Sequence, residues 1–177
     1  PLRLPDEAMR WESLQAASGH FGITGADLRR VRDVEIKINQ GAKPGKGGLL
    51  PGNKVGSEIA AIRGIPEGQD SISPNRHKDI NNIDELLDKI HALRELTGRP
   101  VGIKTAIGGW NFINELCDMI NRRGLEYAPD FITIDGGEGG SGAAPQTLID
   151  HVSLPIAEAL PRVTPRTTGN APCCSWP

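Results

Sequence analysis

Val101-Gly102-Ile103-Lys104, the stretch from Asn111 to Arg123, and Phe131-Ile132-Thr133-Ile134-Asp135 read in order as strand, helix and strand. The two outer pieces are short, apolar and rich in β-branched residues, the pattern of strands buried in a sheet. The middle piece sets Phe112, Ile113, Leu116, Cys117 and Ile120 at helical spacing and is stopped by Gly124. Upstream, Asn82 is placed to cap a helix from Ile83 to Leu96, which Gly98 and Pro100 end. Val34 to Ile38 is one more β-branched run. Such alternation predicts βαβ units and a parallel sheet, either doubly wound or closed into a barrel.

The flanking segments read less sharply. Ala8 to Ala17 has the composition of a helix, and Thr24 is a good N-cap for a short one ending near Val31. Between them lies the glycine-bracketed polar loop Ser18-Gly19-His20-Phe21-Gly22. Ser57 to Arg63 reads as a short helix, Asp70 to Ser73 as a strand end, and Thr147 to Val152 and Ile156 to Leu160 as helical pieces.

A chain of 177 residues is long enough for one domain with a core of its own. Its 37% hydrophobic and 24% charged residues argue for a soluble globular protein and against disorder. A net charge of −2 lacks the basic excess of a general nucleic-acid binder. No apolar run approaches the roughly 20 residues of a membrane span. Pro1-Leu2-Arg3-Leu4-Pro5 lacks a signal-peptide core, so a cytoplasmic location is expected. Cys117, Cys173 and Cys174 have no spacing suited to zinc, an iron–sulfur cluster or a disulfide framework, and Cys117 reads as a small buried hydrophobe.

The unusual residues fall at or just past strand ends, where both parallel architectures place ligands. The first group is Lys37, Gln40 and Lys43, in Lys37-Ile38-Asn39-Gln40-Gly41-Ala42-Lys43-Pro44-Gly45-Lys46-Gly47-Gly48. Glycine lets backbone approach a ligand, and lysine supplies charge for phosphate or carboxylate. A solvated, flexible connection would use the same residue types. The second group is Asp135-Gly136-Gly137-Glu138-Gly139-Gly140-Ser141-Gly142. It formally fits a dinucleotide-binding pattern, but Pro145 delays the helix and no acidic strand end follows about 20 residues on. The more general reading is a phosphate or flavin-ring cradle. Lys104 is a charge ending an apolar strand. It either pairs with Asp135 or faces an anionic flavin or substrate oxygen. His77 reads as a solvated loop residue, with acid–base work as the sharper alternative. His20, His91 and His151 show no metal-ligand spacing to each other. A barrel draws on several strand ends at once and suits this spread better than a single crevice does.

Together these residues resemble the FMN-binding domain of the glutamate synthase family, in particular its stand-alone members. The resemblance is carried by five ordered blocks: Ala17 to Thr24, Lys37 to Val55, Ile72 to Ile80, Ile103-Lys104, and Asp135 to Ala143. It implies a TIM-type (β/α)8 barrel, here incomplete, that binds FMN at the C-terminal ends of its strands. It implies an oxidoreductase in which 2-oxoglutarate and ammonia condense to 2-iminoglutarate, which reduced flavin converts to glutamate. By the same resemblance, Gln40 and Lys43 would hold the carboxylates of 2-oxoglutarate, with Lys37 alongside. Lys104 would face the flavin's pyrimidine edge. Asp135, Gly136, Gly137, Gly139 and Gly140 would line the flavin pocket, and Ser18 would contribute from the earlier loop. An NAD(P)H-linked subunit or a ferredoxin would donate electrons.

Two departures qualify these expectations, the first being that the start is read as lacking the family's opening strands and the second lying towards the C-terminal end. Family members continue through further barrel strands and carry the cysteines of a 3Fe-4S cluster. Here residues 1–163 read as a partial barrel, and 164–177 as an unrelated, disordered tail. The intact parent is thus expected to be a flavoenzyme and this chain alone to be inactive. Alternatives are a different FMN barrel oxidoreductase with another substrate, or a non-catalytic fragment.

Overall fold

A computed structural model describes residues 13–16, 28–72, 74–149 and 151–167. In chain order the elements are β1 (Ser13–Ala16), β2 (Asp33–Lys37), β3 (Leu49–Leu50), α1 (Ser57–Arg63), β4 (Ser71–Ile72), α2 (Ile83–Thr97), β5 (Val101–Ala106), α3 (Asn111–Arg123), β6 (Ile132–Asp135) and α4 (Ile156–Thr167). Strands β1, β2, β5 and β6 lie side by side in that order, every neighbouring pair parallel. The expected parallel α/β architecture is present. The described strands form an open sheet and do not close into a barrel. The short strands β3 and β4 pair antiparallel in a separate two-stranded sheet between β2 and α2.

Register sorts the side chains. Val34 pairs with Val101 and Ile36 with Ile103, so these four share one face of the pleat. All four are buried against Leu86, Leu87, Ile90 and Leu93 of α2 and Leu116 and Ile120 of α3. Glu35, Lys37, Lys104, Thr133 and Asp135 alternate onto the opposite face or its upper rim. Helices therefore cover the apolar face, while the other carries the polar groups that sequence reading had singled out. A second cluster, Ile107, Ile113, Cys117, Ala159 and Val163, packs α4 against α3.

Local signals account for the two long helices. Asn82 caps α2 by accepting from the Glu85 amide at 2.9 Å, and the Glu85 carboxylate accepts from the Asn81 amide at 2.6 Å. Gly98 ends the helix at φ +63, a left-handed conformation that suits glycine. The ends of β5 and β6 opposite the lysines are pinned as well. Asp130 accepts from the Val101 amide at 2.7 Å and pairs with Arg94 at 2.9 Å, while Arg94 also donates to the carbonyls of Glu126 and Ala128.

Three expectations change. Within the helix expected from Ala8 to Ala17, Ser13–Ala16 is instead β1, because pairing with β2 outweighs the weak helical preference of four residues. The piece expected as a helix at Thr147 to Val152 contains separate turns, in which the amides of Leu148 and His151 reach back only three residues. Strand β5 runs two residues past Lys104. Cys117 is buried as expected. Thr24 and Ser18 lie outside the described residues.

Candidate functional site

Strand β2 delivers Lys37 as its last residue, and Lys37 Nζ donates to Gln40 Oε1 at 3.1 Å. The loop then folds on itself. The Lys43 amide reaches the Gln40 carbonyl at 3.1 Å, and the Lys46 amide reaches the Lys43 carbonyl at 3.2 Å. This winding buries Lys43 to 8% exposure, an unusual state for a lysine. A merely solvated connection would leave it in water.

The glycine loop after β6 interlocks with the lysine loop. Asp135 Oδ2 accepts from the Gly41 amide at 2.7 Å, and the Ala42 amide donates to the Gly139 carbonyl at 2.9 Å. A Cβ at Gly41 would overlap the carbonyl of Gly136, and one at Gly140, which sits at φ +74, would overlap the Gln40 carboxamide. Two of the glycine amides are used within the fold. Gly139 donates to Gly136 at 2.8 Å, and Gly137 donates to Leu154 at 2.9 Å. The Glu138 carboxylate takes the Ile156 amide at 3.0 Å, at the start of α4.

Lys104 lies one strand from Asp135, with Nζ 3.7 Å from Oδ1 and side chains 22% and 17% exposed. That pairing satisfies the structural reading of Lys104 without excluding a ligand role, because Asp135 serves Gly41 with its other oxygen. The Lys37 pKa is lowered first by burial and then by Lys104 and Lys43, against raising contributions from Asp135 and Glu35. Glu35 is itself buried and accepts from Thr133 Oγ1 at 2.7 Å. Around Lys37, three ammonium groups face two carboxylates. A site so composed favours a carboxylate, a phosphate or an anionic ring edge.

Lys37, Gln40, Lys43, Lys104, Asp135, Gly136, Gly137, Gly139 and Gly140 thus share one end of the sheet, and Ser18 lies outside the described residues. Sequence reading missed Asn39, whose Oδ1 accepts from the Ala106 amide at 2.5 Å. It also discounted His77, whose Nε2 lies 2.8 Å from the Lys37 carbonyl. The place of Asn39 within the lysine loop was a signal, but its partner on β5 was not legible, nor was the reach of His77 to Lys37 across 40 residues. Among the described residues no group of three or more His, Cys, Asp or Glu side chains could hold a metal ion. Among them, too, no helix is long and apolar enough to cross a membrane.

Residues 5–170 match the family model for the conserved region in glutamate synthase. An archaeal-type glutamate synthase [NADPH] of Dehalococcoides mccartyi is 43% identical over 153 residues, covering 86% of this chain and 30% of that protein. The archaeal glutamate synthase [NADPH] of Methanocaldococcus jannaschii is 44% identical over 154 residues, covering 86% and 29%. A glutamate synthase large subunit-like protein of Bacillus subtilis is 44% identical over 136 residues, covering 77% and 25%. The chain spans about a third or less of the length of these curated relatives. With the family match running through nearly the whole sequence and the lysine and glycine loops locked together at one end of the sheet, this chain belongs to the glutamate synthase family.

Proposed function

We propose that this chain is the part of a glutamate synthase-type oxidoreductase that binds 2-oxoglutarate and the pyrimidine edge of FMN. The observation that carries this reading is the convergence of Lys37, Lys43 and Lys104 around Gln40 and Asp135. One lysine from the end of β2, one from the loop that follows it and a third from the next strand offer separate cationic contacts, as a dicarboxylate requires. The donor set also fits a flavin, because Lys104 is a cation at the sheet rim where negative charge on a reduced ring could be offset. When bound, reduced FMN supplies a hydride.

The chain's own residues bind and orient. Gln40 and Lys43 hold the carboxylates, Lys37 adds positive charge beside them, and Asp135 fixes the loop that carries them. Gly136, Gly137, Gly139 and Gly140 keep the β6 loop close to the sheet. Ammonia, or a donor of it, is the second substrate, and electrons arrive from an NAD(P)H-linked subunit or a ferredoxin. The four sequential parallel strands fit an arc of a (β/α)8 barrel, since their order never reverses as a doubly wound sheet's does. The four parallel strands among the described residues do not enclose a flavin, so on this reading the chain alone neither holds FMN tightly nor turns over, and a 3Fe-4S cluster would belong to other parts of the parent.

The test is glutamate formation from 2-oxoglutarate, ammonium and a reductant by a full-length protein containing this sequence. Loss of that activity in Lys43→Ala with flavin retained supports the reading. Turnover of a different acceptor, with none on 2-oxoglutarate, overturns it. A yellow, near-stoichiometric FMN complex of the 177-residue chain would overturn the statement about the isolated chain alone.

A further inference from the structure

Two side chains end the backbone ladder of β2 at the point where the lysine loop departs. The amides of Val34 and Ile38 reach the carbonyls of Pro100 and Lys104 at 2.9 and 2.8 Å, so even-numbered residues of β2 direct their backbone groups towards β5. The next rung of a parallel ladder would set the Ala106 amide on the Ile38 carbonyl. That amide goes instead to Asn39 Oδ1, which Thr105 Oγ1 also approaches at 3.5 Å. Odd-numbered residues face the other way, towards β1, and the carbonyl of Lys37 is met there by His77 Nε2 at 2.8 Å. A carbonyl oxygen can only accept, so Nε2 carries the proton. His77 comes from the loop between β4 and α2, 40 residues further along the chain.

We propose that His77 is a positioning residue for Lys37: its Nε2–H holds the strand-end carbonyl and thereby keeps the Lys37 ammonium on Gln40, inside the anion site. This rests on the reading of Lys37 as an anion-binding group. The Lys37 ammonium is half-buried beside two like charges, a place it would leave for water if its backbone were free to turn. The grip is on the residue's own peptide unit, so it fixes where the side chain starts. Asn39 does the same for the neighbouring strand, and between them the loop carrying Gln40 and Lys43 leaves the sheet at a set angle.

The test uses the 177-residue chain, following the Lys37 side-chain titration by NMR and 2-oxoglutarate binding by calorimetry. His77→Ala is expected to return the Lys37 titration towards the ordinary lysine range and to weaken 2-oxoglutarate binding about tenfold, the worth of one charged contact. His77→Gln, whose carboxamide can donate to the same carbonyl, is expected to restore most of both. An unchanged Lys37 titration in folded His77→Ala overturns the proposal, as does identical behaviour of the alanine and glutamine variants. If His77→Ala does not fold, the wild-type ring decides through its nitrogen shifts: a protonated Nε2 supports the proposal and an unprotonated one overturns it. A wild-type chain with no affinity for 2-oxoglutarate removes the substrate reading, while the Lys37 titration still decides the role of His77.

Discussion

Asp135 Oδ2 accepts a hydrogen bond from the Gly41 amide at 2.7 Å across 94 residues of chain, while Oδ1 of the same carboxylate stands 3.7 Å from Lys104 Nζ. One side chain therefore fastens the lysine loop and balances a partly buried cation. Asp135→Ala is expected to cost about 1–3 kcal/mol, since it strands an amide and a charge together. Asp135→Asn keeps an acceptor for Gly41 and loses the charge, so it should fall in between. Urea unfolding gives the energies, and hydrogen exchange at the Gly41 amide separates the variants: fast in Asp135→Ala, slow in Asp135→Asn.

Gly41→Ala would force a methyl group into the carbonyl of Gly136. Backbone is the obstacle, so relief requires moving a loop. The expected loss is about 1–3 kcal/mol, with 2-oxoglutarate binding falling further than stability does. Calorimetric titration beside a thermal melt checks both.

Lys37 has its pKa lowered by burial and by Lys104 and Lys43. The unfolded chain then binds more protons than the folded one between the folded value and the ordinary 10.5, so stability from this group rises with pH across that window. An anion at the site favours the charged ammonium and should raise the value. Binding of 2-oxoglutarate is accordingly expected to weaken as pH climbs through the lowered value, and to take up protons near it. Calorimetry in buffers of different ionisation heat measures that uptake. Lys104→Gln removes one repulsive neighbour and should shift the Lys37 titration upwards.

Asn82→Ala removes the cap of α2 and should cost about 1 kcal/mol. Because α2 lies on the apolar face, away from the lysines, affinity for 2-oxoglutarate should stay unchanged. Chemical denaturation with a parallel binding titration tests this pair of outcomes.

The elements legible in the sequence are those whose causes are local. Helices α2 and α3 carry their own periodicity and stops, and β2, β5 and β6 their own β-branched runs. Strand β1 is held by pairing with a strand 20 positions later in register, which Ser13 to Ala16 do not advertise. The same distinction runs through the site. Lys37, Lys43, Lys104 and Asp135 stand out as charges at strand ends, a matter of chain position. His77 and Asn39 matter through the partners they find on other elements, and as loop residues they look ordinary. The glycines of the β6 loop stand out by composition, whereas the partners of the Gly137 and Gly139 amides within the fold do not.

The overlap that any side-chain carbon at position 41 would make with the Gly136 carbonyl, and at position 140 with the Gln40 carboxamide, has a hereditary consequence. Neither loop can drift alone. A substitution tolerated in one is conditional on what the other already carries, so descendants of this sequence should inherit the two as a single unit. A recombined gene that takes residues 38–48 from one parent and 136–142 from another should fail more often than one that exchanges both.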